Sequence, residues 1–499
     1  MIFLGIDISP AGTRALALEL ESATVLAESF YPHRWIEGLA DGHREQNPLH
    51  WIEAVDHSIR ACLAPLAEQR HRISSIGVSS CLQGTVMLDQ ENRIVRPAKM
   101  PGDSSAHRQA EEIARAFGGN PGLIELIGNP IAADSTAAHC LWLKRHEPYH
   151  FQRTAHILSL KDFINYWLTG NIVTDAGMAS GSGLFDVRKR QWSEEICSFI
   201  DARLGSLLPP LGDSISSCGS LRKALADAWG LDPQLMISLG SGSPMLACLG
   251  AGCVAPGKVS LEMGGSGILS GVSSTPCVDL SGEVALLCDA TGQWLASAAT
   301  NNAASAPDML RRHYGWSPEQ FEEMLGSSDA GAEGLLFLPY VSGETTPHLP
   351  EATGVLHGVT PDNFTPANMA RATMEGVALG LGYGLGRMRE LGFDPPEVHH
   401  TGAISHSSVS RQLLADVFGI PVIALTSPQG PAFGAAIHAA LVFFQLHGET
   451  LAVQDMAQYL IRCDETSRCL PDPQRHSLYQ QMISRQQYLV DTLHPAGFL

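Results

Sequence analysis

Two short hairpins with small-residue turns, one opening the chain and one just past its midpoint, restrict the possible folds more than any other feature of the sequence. Ile2–Ile8 is an apolar run, Ser9-Pro10-Ala11-Gly12 carries turn chemistry, and residues 13–20 return with alternating side chains. Val259–Met263 then leads into Gly264-Gly265-Ser266-Gly267, and residues 268–272 return. The recurrence predicts two related halves. Length agrees, because 499 residues exceed one ordinary core and suit two domains of roughly 200–250 residues. Pro256-Gly257 is the best boundary by composition, giving domains 1–255 and 256–499.

Amphipathic helices are expected between the strands. Thr365 is an N-cap with Pro366 at the first helical position, and Met374, Val377, Leu381, Leu385, Met388 and Leu391 recur at helical steps up to Gly392. Shorter helices are expected over 409–418, stopping at Gly419, and over 432–444. Strands alternating with helices give an α/β chain of layered sheets.

Charge and cysteine usage exclude several classes. A formal net charge of −19 argues against nucleic acid and acidic membranes, which would be repelled. Eleven cysteines without a C-x-x-C pair suit free thiols in a reducing compartment. Cys463 and Cys469 have no histidine at zinc-finger spacing, so no metal site is expected there. The start, MIFLGIDIS, has no basic n-region, and no segment approaches ~20 uninterrupted apolar residues, so a cytoplasmic protein is expected.

Familiar catalytic motifs fail in detail. Gly252 to Lys258 satisfies GxxxxGK, but Val259 stands where a Walker loop needs a hydroxyl and Pro256 removes an N–H. Gly240-Ser241-Gly242 lacks the third glycine of a dinucleotide fingerprint, and no serine sits in a GxSxG elbow. The 264–267 turn is the better candidate. Its glycines permit left-handed backbone and let N–H groups converge on an anion, with the Ser266 hydroxyl as a further donor. Asp7, at the end of the first strand, is placed to hold Mg²⁺ through water opposite such a loop.

At this point the residues resemble the FGGY carbohydrate kinases, most closely their xylulokinase branch. The resemblance is carried by GIDISPAGTRALAL (5–18), EQNPLHW (45–51), LDQENRIVRPA (88–98), GNP (128–130), the long stretch 158–192, LLPPL (207–211), LFLPYVSGETTPHLP (336–350), RATMEGVALGL (371–381) and TGAISHSSVSRQLLADVFGIPV (401–422). It implies two ribonuclease-H-like domains of the actin-like ATPase type, with sugar and ATP in the cleft between them. It also implies ATP and Mg²⁺ as cofactors and leaves a homodimer open. Asp7 and Thr13 would lie near metal and phosphates, with Gly264, Gly265, Ser266 and Gly267 taking the β- and γ-phosphates. Gly402 and Ala403 would lie against the adenosine and α-phosphate. Leu82, Gln83 and Asp103 occupy the sugar-pocket positions.

The departures from the family pattern are specific. Its first GT[ST] loop reads Ser9-Pro10-Ala11, its Met-His-Gly reads Leu82-Gln83-Gly84, and its Trp-Asn-Asp reads Pro101-Gly102-Asp103. The arginine of GERTP is Thr345, and the aspartate of G-x-G-D, which takes the acceptor's proton, is Ser243. A neutral hydroxyl is no base, and general-base catalysis contributes about 10²–10⁴-fold, or about 3–5.5 kcal/mol. Phosphoryl transfer depends more on positioning and charge neutralisation, so chemistry can survive the loss. The expected activity is therefore ATP-dependent phosphorylation of a ketose or related polyol. The alternative is a homologue that binds sugar or nucleotide without efficient turnover. Asp103 and Asp7 are the carboxylates that could compensate.

Overall fold

The structure, a computed structural model, describes residues 1–426 and 430–499, with the side chain of Ala403 outside the description. The first sheet contains β1 (Ile2–Ile8), β2 (Gly12–Glu19), β3 (Thr24–Pro32), β4 (Ile73–Ser80), β5 (Ser217–Ser220), β6 (Met236–Ser238) and β7 (Ser241–Gly242). Its order is β5-β6-β4-β1-β2-β3, with β7 pairing β4. The second contains β8 (Val259–Met263), β9 (Gly267–Ser273), β10 (Ala285–Cys288), β11 (Trp294–Thr300), β12 (Val398–Thr401) and β13 (Val422–Ala424), in the order β10-β11-β9-β8-β12-β13. In each half the first strand is antiparallel to its hairpin partner and parallel to the strand on its other side. The two halves expected from the hairpins are present as two sheets whose first strands share one pairing pattern.

Period-two burial assigns each face of these first strands. Ile2, Leu4, Ile6 and Ile8 point into one core with Trp51, Val78 and Ile237. Val259, Leu261 and Met263 point into another with Leu379, Leu385 and Phe418. The helices that matter for the site are α1 (Leu160–Thr169), α2 (Ser243–Gly250), α3 (Ser305–Tyr314), α4 (Pro366–Glu390), α5 (Ser408–Phe418) and α6 (Pro431–Leu446). α4 begins as expected, with Thr365 accepting from the Asn368 N–H.

A third core joins the halves. Phe3, Leu16 and Leu18 from the first sheet meet Val272, Leu287 and Leu295 from the second, with α2 and α6 between them. The contact is made at backbone distance. A Cβ on Gly5 would lie 1.8 Å from Ala432 O, one on Gly77 2.1 Å from Ala435 O, and one on Gly434 1.8 Å from Leu246 O. Any side chain at these points would force the layers apart. Thus α6, from the second half of the chain, packs on strands of the first sheet. The turn at Pro256-Gly257 lies between α2 and β8. Among the described residues no helix is long and apolar enough to cross a membrane.

Candidate active site

Three parallel strand ends of the first sheet converge on Asp7. β1 and β4 pair Asp7 with Ser79, and β7 pairs Ser241 with Ser79. The carboxyl ends of parallel strands are where open α/β sheets present their ligand sites. The Ser243 hydroxyl donates to Asp7 Oδ1 at 2.8 Å, and Ser79 Oγ lies 3.2 Å from Ser243 Oγ. Burial raises the Asp7 pKa above its ordinary 3.8, while the Ser79 and Ser243 hydroxyls and the Arg14 charge pull against it.

The turn carrying Ser243 is pinned from below. Gly240 has φ +67°, and a Cβ there would lie 1.9 Å from Val78 O, so only glycine fits. Ser241 Oγ donates to Asp175 Oδ2 at 2.6 Å, and Lys161 Nζ bridges Asp175 and Asp162 at 3.0 Å each. Lys161 Nζ and Asn165 Nδ2 from α1 both donate to Leu239 O at 2.9 Å. All of these side chains are buried. This network fixes where the first residue of α2, Ser243, presents its hydroxyl.

In the second sheet the glycine turn differs from expectation in its backbone. Neither Gly264 nor Gly265 has a positive φ, so left-handed geometry is not the reason for glycine here. What they provide is room: a Cβ on either would meet nothing within 4 Å, and both residues are exposed. The Gly264 N–H closes the turn on Ser266 O at 2.9 Å. α3 starts beside it, with the Ala304 N–H donating to Gly265 O at 3.3 Å. The positive end of that helix adds a favourable field for an anion. Gly402 ends β12 at φ +89°, where a Cβ would lie 2.2 Å from Met263 O. Gly402-Ala403 therefore abuts the strand that feeds the turn.

Several expected residues are occupied in other ways. Thr13 is fully buried and its hydroxyl meets His33 Nε2 at 2.9 Å. Asp103 is also fully buried, with Lys99 Nζ 3.2 Å away and N–H donors from Arg44 at 2.8 Å and Ser105 at 3.1 Å. Burial opposes its ionisation, but the Ser105 hydroxyl, the Arg44 N–H and Lys99 hold its carboxyl below the ordinary range. These partners fix the position of its carboxylate. Leu82 packs against Gly242 and Gly181, beside the Ser243 turn, and the Gln83 carbonyl accepts from Cys81 Sγ at 3.3 Å. Thr345 donates to Asn301 Oδ1 at 3.0 Å.

Two carboxylates are additions to the residues read from sequence. Glu262 is the penultimate residue of β8, as Asp7 is of β1, and it points away from the core formed by Val259, Leu261 and Met263. Burial, and then the Asp7 charge, raise its pKa. Aligning the two hairpins on their turns would have found it. Asp134 is half-buried and accepts the Gly102 N–H at 3.0 Å. Burial, and then the Asp7 and Asp134 charges, raise the pKa of Cys81, the residue next to Leu82. No local pattern marks Asp134 in the sequence.

Comparison with known proteins identifies the fold and the family. The N-terminal domain of the FGGY family of carbohydrate kinases matches residues 2–250, and its C-terminal domain matches 235–443. A xylulose kinase from Escherichia coli (strain K12) is 30% identical over 491 residues, covering 96% of each chain. The "xyloylose kinase" of Brucella ovis superposes with a TM-score of 0.92 at 25% identity, over 99% of this chain and 100% of that one. A gluconate kinase from Lactobacillus acidophilus reaches 0.91 at 21% identity, over 99% and 98%. That last likeness shows fold alone, and one fold serves differently named kinases. With both family domains present and relatives aligned over nearly their whole length, the chain belongs to the FGGY family of carbohydrate kinases.

Proposed function

We propose that this carbohydrate kinase is a cytoplasmic enzyme that transfers the γ-phosphoryl group of ATP to a primary hydroxyl of a ketose or closely related polyol. D-xylulose, giving D-xylulose 5-phosphate and ADP, is the reference reaction. Free thiols at all eleven cysteines suit the compartment. The pocket supports an acceptor related to D-xylulose but differently ranked. Leu82 and Gln83 replace the methionine and histidine of the family pattern, and Asp134 is a half-exposed carboxylate able to accept from sugar hydroxyls.

The observation that carries the mechanism is the 2.8 Å hydrogen bond from Ser243 to Asp7. A hydroxyl has one proton and two lone pairs. Ser243 donates its one hydrogen bond to Asp7 and keeps a lone pair for the acceptor hydroxyl. As the acceptor oxygen bonds to phosphorus and the bond to ADP breaks, its proton passes to Ser243 while the Ser243 proton passes to Asp7. The base is then Asp7 reached through a serine, and its burial-raised pKa favours that role. The exposed turn spends the Gly264 N–H on Ser266 O and leaves the Gly265 and Ser266 N–H groups to orient the phosphates. Glu262, with Asp7 reaching through water, would hold a divalent cation beside the turn. Mg²⁺ held there would neutralise charge on the transferred group.

A coupled assay for ADP release across pentuloses, hexuloses and polyols tests the reading. Turnover with at least one ketose is expected. Turnover no greater than the ATPase background with every acceptor would overturn it.

A further inference from the structure

The sequence offers Cys463 with no histidine nearby, and the fold supplies one from another strand. His399 lies on β12, Glu397 immediately precedes that strand, and Cys463 sits in the segment that returns along β13 through the Leu425–Cys463 and Val422–Cys469 bridges. His399 Nε2 is 3.2 Å from Glu397 Oε1 and 3.8 Å from Cys463 Sγ. All three ligand atoms lie within 4.8 Å of one another. Bonds of about 2.0–2.3 Å to a tetrahedral ion hold nitrogen, oxygen and sulfur ligands roughly 3.3–3.8 Å apart. The two measured edges are already close to that range.

The surroundings support the same reading. His399 Nδ1 lies 2.8 Å from Ala251 O, so the Nδ1–H is spent on a carbonyl and Nε2 faces the other two ligands. Metal-binding histidines are oriented in this way. Arg468 Nη1 holds the second carboxylate oxygen of Glu397 at 2.6 Å, leaving Oε1 for an ion. His399 is buried while Glu397 and Cys463 are half-buried, which leaves a path from solvent.

A second cluster shows what a filled position looks like. His43, Glu45 and Asp103 also gather ligand atoms within 4.8 Å. There Lys99 Nζ stands 3.4 Å from Glu45, 3.2 Å from Asp103 and 3.5 Å from His43, so an ammonium already occupies the place of a cation. At the Glu397 cluster the nearby cation, Arg468, pairs with Glu397 Oε2, the carboxylate oxygen other than the one that faces His399.

We propose that Glu397, His399 and Cys463 form a binding site for a thiophilic divalent cation, Zn²⁺ by its ligand chemistry, separate from the reaction centre. A thiolate and an imidazole select zinc over magnesium, so the Mg²⁺ used with ATP does not compete. The ion would clamp the 463–469 segment to β12, the strand that leads into Gly402.

The test uses the full-length, tag-free protein, stripped with chelator and titrated with Zn²⁺ or Co²⁺ in excess Mg²⁺. One ion per chain is expected, with a Kd below about 1 μM. Co²⁺ should give a near-ultraviolet thiolate-to-cobalt charge-transfer band. Cys463→Ser should lose the band and weaken Zn²⁺ binding about 100-fold or more, while Cys469→Ser keeps both. If Cys463→Ser does not fold, Glu397→Gln should still weaken Zn²⁺ at least about tenfold. Absence of one-to-one binding below about 10 μM, or a band that survives Cys463→Ser, overturns the site.

Discussion

Asp7 and Glu262 occupy the same place in the two halves of the molecule, yet their surroundings differ. Each is the penultimate residue of the first strand of its sheet, and each has its pKa raised by burial. Asp7 is held by the Ser243 hydroxyl at the start of α2 and the Ser79 hydroxyl near the end of β4. Glu262 has no side-chain hydrogen bond or ion pair among the described residues, and next to it the chain opens into the exposed glycine turn. The contrast teaches a division of labour. The first half has built a fixed geometry around a carboxylate, which suits a proton that must arrive at one atom. The second half has left a carboxylate free beside a phosphate turn, which suits a charge that arrives with the substrate.

The largest expected effect follows from removing the fixed carboxylate. Asp7→Asn should lower kcat by about 10²–10⁴-fold. It should also raise the thermal midpoint near neutral pH, because the ionised Asp7 is disfavoured by its burial. Since the folded pKa is raised, the ionised group costs stability above that pKa. The cost vanishes as pH falls, so the stability gap between variant and wild type should close in acid. Steady-state kinetics and melting curves across pH check both halves; a variant within tenfold of wild-type kcat would break the assignment. Next, Ser243→Ala should lower kcat roughly 10–100-fold with KM for sugar little changed, because the proton then needs water to reach Asp7. Unchanged kcat would remove Ser243 from the path. Third, Glu262→Gln should raise the Mg²⁺ concentration giving half-maximal ATP-induced thermal shift by about tenfold, with sugar binding intact. A Mg²⁺ requirement identical to wild type would show that the two carboxylates do not share a cation.

The sequence made one side of this comparison legible and hid the other for a physical reason. Hairpins and helix caps are local, so β1, β8, α4 and the ends of α5 could be read from neighbouring residues. The glycine turn was found, but for the wrong cause: its glycines are needed for space, while the positive φ belongs to Gly240 and Gly402. Ser243 reads as a lost base because its partner is 236 residues away. Asp103 reads as a pocket residue, and the fold adds that Lys99, four residues earlier, pairs with it. Asp134 and His399 acquire their partners only when separate strands and loops meet. Side-chain chemistry that depends on pairing across elements leaves no spacing to count.

The smallest expected effect is also the finest probe of the fixed side. Activity that needs ionised Asp7 falls as pH drops through its folded pKa, so kcat/KM should have an acid limb above the ordinary carboxylate value of 3.8. The Ser79 hydroxyl stabilises the ionised form and lowers that pKa. Ser79→Ala should therefore move the acid limb upward, leaving the plateau rate nearly unchanged. Because β1 and β4 pair through the backbone at this register, truncating the side chain should not displace Asp7. A limb that stays in place while Asp7→Asn abolishes turnover would mean that a group other than Asp7 titrates there, and the proton route through Ser243 would have to end elsewhere.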